Sequence, residues 1–173
     1  MLLFTLRRAS TALTLDSNAL GPNLTLFDGG MCVRNLANKA WTTVRATCRF
    51  SKGLHYWEVL VERCVSKNIF VGVSTREASL ANYVGSDNQG WGYLANTALW
   101  HKKVRSGFCL HVPRLFTRVA FTTRQGKERS YGELFKEGDT VGVELDMDAG
   151  TLRFYLYATT MPLPLHLPAI HHT

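Results

Sequence analysis

The chain has 173 residues, of which 46% are hydrophobic and 19% charged, with a formal net charge of +7. That balance suits one packed domain and excludes an intrinsically disordered chain. No apolar run reaches the ~18 residues that a membrane-crossing helix needs, which excludes a helical span.

Met1 to Leu15 hold Arg7, Arg8, Ser10 and Thr11 and no acid before Asp16. A mitochondrial transit peptide has that composition. The plainer expectation is a first strand or an arm over 1–12, lying on a domain core of about 13–157. Strand-length runs then follow. Leu24 to Phe27 is short and apolar, Asp28-Gly29-Gly30 is a turn, and Met31 to Val33 resumes. Trp41 to Phe50 alternates in part, before a turn at Ser51-Lys52-Gly53. His55 to Glu62 and Asn68 to Ser74 read as strands rich in β-branched and aromatic residues. Gly90 to Leu94, Val119 to Thr123, Thr140 to Leu145 and Thr151 to Tyr157 complete the set, the last two joined by a hairpin turn at Asp146 to Gly150. Ser130 to Phe135 is expected to make one helical turn. Strands recurring about every ten residues predict an all-β chain, an antiparallel two-sheet β-sandwich in a single domain over 1–173.

The basic residues are scattered. Neither Lys102-Lys103 with Arg105 nor Arg124 to Arg129 carries the stacking aromatics of an RNA-binding sheet, so no nucleic-acid partner is expected. The surplus favours an acidic protein partner instead. Cys32, Cys48, Cys64 and Cys109 form no paired motif with zinc spacing, and they read as small core side chains in a reducing, cytoplasmic setting. The sequence holds no G-x-S-x-G, P-loop or H-E-x-x-H motif. Asp146 and Asp148 read as turn residues, and His166, His171 and His172 as a tail rather than a metal set. No enzyme activity, cofactor or metal is expected.

Several motifs then occur in order. Gly53-Leu54-His55-Tyr56-Trp57-Glu58-Val59 is followed by Phe70-Val71-Gly72-Val73-Ser74, by Val84-Gly85-Ser86-Asp87, and by Gly90-Trp91-Gly92-Tyr93. Next come Tyr131-Gly132-Glu133, the run Phe135 to Asp146, and Gly150-Thr151-Leu152-Arg153-Phe154-Tyr155. In this order, over about 28–155, they resemble the SPRY family. The resemblance implies a concanavalin-like jelly roll that recognises a peptide or protein surface through loops at one end. Such modules in ubiquitin ligases and their adaptors choose the substrate. Most of the matched residues are expected in the core, with Tyr56 and Trp57 on opposite faces of their strand.

The resemblance places a partner-binding surface on the loop from Arg34 to Thr43 and the loop from Thr75 to Ser86. The candidate contacts are Arg34, Asn35, Arg45, Arg76, Tyr83, Gly85 and Ser86. Tyrosine and arginine suit that role because each buries much area and still makes polar bonds. An alternative reading is a lectin-like sandwich whose surface Trp and Tyr stack on sugars. The chain departs from the family pattern twice: Val104 to Gln125 reads as an apolar, basic insertion, and 158–173 is a tail broken by Pro162, Pro164 and Pro168. A strand interrupted by prolines lacks ladder donors, so a sheet edge is expected to stay open.

Overall fold

Alternating burial along the strands builds this fold. A computed structural model describes residues 2–9, 13–36, 40–64, 68–95, 98–102, 104–106, 118–122, 128–129 and 133–157. The strands are β1 (Leu2–Ala9), β2 (Leu15–Leu20), β3 (Leu24–Phe27), β4 (Cys32–Asn35), β5 (Val44–Ala46), β6 (Leu54–Cys64) and β7 (Phe70–Ser74). They continue with β8 (Gly90–Leu94), β9 (Ala98–His101), β10 (Val104–Ser106), β11 (Arg118–Thr122), β12 (Glu128–Arg129), β13 (Thr140–Asp146) and β14 (Thr151–Tyr157). Among the described residues one 3-10 turn occurs, over Asp28–Gly30.

The larger sheet runs in the order β12-β11-β14-β13-β6-β1-β4-β3, and a second runs β10-β9-β8-β7, with a small sheet β2-β5 beside them. Pairing is antiparallel except between β11 and β14, which run parallel. The expected all-β sandwich is therefore present. Trp57 and Val61 of β6, Val141, Val143 and Leu145 of β13, and Leu152, Phe154 and Leu156 of β14 point from one sheet into the core. Val71, Trp91, Tyr93 and Leu99 answer from the other sheet, and the Tyr93 and Phe154 rings meet across the gap at 5.4 Å.

Of the first strand or arm expected at the start of the chain, the structure has the strand: β1 lies inside the large sheet between β6 and β4. Two local features differ from the expectations. The stretch expected as a strand from Trp41 to Phe50 keeps only Val44–Ala46 in a ladder, because Thr43 gives its N–H to Leu80 in the loop after β7. The helical turn expected over Ser130 to Phe135 is absent from its described part. There Phe135 donates its N–H to Ala95 and Lys136 donates to the Asp139 carboxylate. The stretch read as an insertion contributes β10 and β11, while 107–117 and 123–127 lie outside the described residues, as do Cys109 and 158–173.

The hairpin between β13 and β14 is built by its aspartates. Asp146 Oδ1 accepts the N–H groups of Asp148 and Ala149, and Asp148 Oδ1 accepts that of Gly53. On the face of the large sheet away from the core, Tyr56 donates to Glu58 at 2.9 Å and lies 3.2 Å from the Tyr157 hydroxyl, while Tyr155 and Arg153 both donate to Glu144. Gly142 underlies this network, since a Cβ there would sit 2.6 Å from the Tyr56 hydroxyl. Burial first, then the Tyr157 hydroxyl, holds the Tyr56 hydroxyl well above the ordinary tyrosine range, and burial with Glu144 does the same for Tyr155. The folded form therefore keeps both protons where an unfolded chain would lose them. Their stabilisation is complete below about pH 10 and is lost as pH rises above it. Melting temperatures measured through that window should fall, and a Tyr56→Phe chain should fall less steeply; equal slopes would remove Tyr56 as the cause.

Candidate functional site

The loop that leaves β7 is organised by its own side chains and strapped to β5. Asp87 braces it from within, taking the N–H of Ser79 on one carboxylate oxygen and that of Gln89 on the other. Thr75 closes the base, with its hydroxyl 2.6 Å from Gln89 Oε1 and its backbone N–H given to the Gln89 carbonyl. From β5, Arg45 Nη1 donates to three loop carbonyls, those of Arg76 at 2.8 Å, Ala78 at 3.1 Å and Thr75 at 3.4 Å. A charged donor makes bonds about twice as strong as neutral ones, so one guanidinium fixes the whole turn. Thr43 adds a second strap, its hydroxyl donating to the Asn82 carbonyl at 2.5 Å.

The strapped loop carries Tyr83 onto a group of rings. Tyr83 stacks on Phe70 of β7 with centroids 4.6 Å apart, and meets Trp41 edge-on at 5.1 Å and Trp100 of β9 at 5.9 Å. Offset and edge-to-face contacts of this kind each contribute roughly 0.5–1.5 kcal/mol beyond area burial. Trp41 nevertheless stays 37% exposed, so the cluster presents an aromatic face to solvent. Behind it opens a groove of about 750 Å³ lined from β5 and the segment before it, from β7, and from the inner face of the large sheet. That volume falls within the ~300–1,000 Å³ range of ligand sites.

Six of the seven candidate contacts gather around Tyr83 or its groove. Asn35, Arg45, Arg76 and Tyr83 line the groove together. Gly85 is buried under the ring cluster with φ of +93°, and a Cβ there would lie 2.5 Å from the Trp100 carbonyl oxygen. Ser86, also buried, closes the turn by donating its N–H to the Tyr83 carbonyl. Gly85 and Ser86 thus shape the turn from beneath. Arg34 stands apart on β4, with its guanidinium carbon 5.2 Å from the centre of the Phe27 ring. Arg45 faces the loop's own carbonyls through Nη1. The sequence placed Trp41 only within the candidate loop from Arg34 to Thr43, left Trp100 undecided between core and contact, and gave Phe70 no place in the site. Their aromatic character was the available signal, but their positions in three separate segments hid their meeting.

Among the described residues no three His, Cys, Asp or Glu side chains gather as metal ligands, and no helix is long and apolar enough to cross a membrane. A family model described as the SPRY domain matches residues 54–166. The chain is 31% identical over 127 residues to the F-box/SPRY domain-containing protein 1 of Drosophila mojavensis, covering 70% of this chain and 44% of that protein. The protein of the same name from Drosophila persimilis is 29% identical over 130 residues, covering 70% and 43%. The ATP-dependent RNA helicase DDX1 of Xenopus laevis is 26% identical over 150 residues, covering 86% of this chain and 16% of that protein. The chain therefore spans less than half the length of the F-box relatives it matches.

Proposed function

This chain belongs to the SPRY domain family, and we propose that it is a non-catalytic module that holds a partner protein against the Tyr83 loop. The family is one of protein-interaction modules, which sets the class of function. The observation that carries the finer reading is the solvent-facing ring cluster of Trp41, Phe70, Tyr83 and Trp100, held on a loop that Arg45 fixes in advance. A rigid aromatic surface loses little freedom on binding, and aromatic anchors dominate interface energies. Arg76, exposed at the rim, supports an acidic partner. The F-box/SPRY relatives support a role in presenting that partner for ubiquitination.

The test is a pull-down with the whole chain as bait, read by mass spectrometry, beside Tyr83→Ala and Arg34→Ala chains that both melt cooperatively. Loss of Tyr83 removes a central anchor and should cut the retained partner by about tenfold or more. Arg34→Ala, off the groove, should retain it. A partner held equally by all three chains would move the binding surface elsewhere.

A further inference from the structure

Strand β7 is an edge, and its ladder to β8 shows which of its backbone groups lack partners. Ala95 donates to the Ile69 carbonyl and Thr75 to that of Gln89, so the hydrogen-bonded pairs are Ile69 with Ala95, Val71 with Tyr93, Val73 with Trp91 and Thr75 with Gln89. In an antiparallel ladder the residues between such pairs turn their N–H and C=O to the opposite side. Phe70, Gly72 and Ser74 therefore direct theirs away from β8. The same reasoning applies to β5. Thr47 donates to Thr14, and Gly21 to Thr43, while Leu15 faces Ala46 and Leu20 faces Val44. Val44 and Ala46 thus aim their N–H and C=O away from β2. None of these five residues has a backbone partner among the described residues.

The two open edges border one groove. Trp41, just before β5, meets Phe70 at the start of β7, and Arg45 reaches Thr75 at its end, so β5 and β7 run in the same direction. Consecutive residues of both lie along the 750 Å³ groove, as a slot walled by backbone edges requires. Its floor is apolar, with Leu6, Trp57 and Val59 of the large sheet. Unpaired edges of this kind are templates for strand addition.

We propose that this slot receives an extended segment of the partner protein, which pairs with β7 on one side and β5 on the other and sends alternate apolar side chains onto Trp57 and Val59. The inference rests on the partner-binding reading above and deepens it, because Tyr83 and Trp41 stand at the rim of the same groove. Antiparallel pairing to both edges is the more stable arrangement per residue. The chain's own segment 158–173 suits the slot less well. Pro162, Pro164 and Pro168 all fall on even positions, and in an extended segment even positions face one edge. That edge would offer His166 as its one donor between Pro162 and Pro168, leaving carbonyls opposite it unpaired.

The experiment is residue-resolved amide hydrogen exchange on the full chain, with and without a capped synthetic peptide of about eight residues alternating valine with threonine. The amides of Val44, Ala46, Phe70, Gly72 and Ser74 should exchange readily in the chain alone and slow by about tenfold or more with the peptide. Those of Val71 and Val73, already bonded to β8, should not change. Protection already present in the chain alone, and removed by Leu163→Asp with Leu165→Asp, would assign the slot to the chain's own tail and overturn the proposal. Protection that appears only with rising chain concentration would assign it to a second copy, with the same consequence. If the peptide protects nothing while the Tyr83-dependent partner is still captured, the strand slot fails and the loop-binding reading stands. If that partner is also missing, both fall together.

Discussion

Phe154→Ala lowers the free energy of unfolding by about 3–5 kcal/mol, a large share of the ~5–15 kcal/mol that keeps a domain folded. The ring is fully buried on β14, between β13 and the parallel strand β11, and it is one of the contacts that join the two sheets. Removing it costs the transfer energy of an aromatic side chain and leaves a cavity that paired backbone on both sides keeps from closing. Tyr93, its partner across the sandwich, cannot move in to fill the space, because its hydroxyl is tied to the Glu133 carbonyl and its ring packs on Phe135 at 5.1 Å. Phe154→Leu retains much of the volume and should cost less than half as much. Chemical denaturation of the three chains decides the matter. A Phe154→Ala loss below about 2 kcal/mol would mean that the two sheets are not joined through this ring.

That core was legible because a strand's period of two writes burial directly into the sequence. Leu152, Phe154 and Leu156 alternate with Arg153 and Tyr155, and the ladder of β14 covers the span expected from Thr151 to Tyr157. Gly90–Leu94 was equally clear from its aromatic run. What depends on distant pairing was not legible. Nothing in Leu2–Ala9 announces that β6 and β4 flank it, and nothing in Arg118–Thr122 announces a parallel partner. β5 is shorter than its alternation suggested because Thr43 bonds to a loop nearly forty residues away. At the candidate site, Tyr83 could be singled out from its motif and its turn-rich surroundings. The role of Arg45 could not, since a sequence shows a charge but not the three carbonyls that Nη1 meets. Those carbonyls show that Arg45, expected as a ligand contact, organises the loop that carries Tyr83.

The turn beneath Tyr83 makes the second large prediction. Gly85→Ala should cost about 2–4 kcal/mol and abolish partner capture, through two effects at one position. Its φ of +93° lies where an L side chain is strained, and the added methyl carbon would stand 2.5 Å from the Trp100 carbonyl oxygen, part of a paired strand that cannot yield cheaply. The loop must therefore move. As it moves, Tyr83 leaves Phe70 and Trp100, and the Ser86 N–H loses the Tyr83 carbonyl. Gly29→Ala separates strain from collision. Gly29 also has a positive φ, +61°, but nothing lies within 4 Å of the added carbon, so only about 1–2 kcal/mol should be lost, with binding unchanged. Melting curves read stability, tryptophan fluorescence reads the setting of Trp41 and Trp100, and the pull-down reads binding. If the two substitutions weaken the chain equally and both spare the partner, the packing of Gly85 against Trp100 does not set the Tyr83 loop. If Gly85→Ala alone shifts the fluorescence and loses the partner, the binding surface depends on a contact made by a residue the partner never touches.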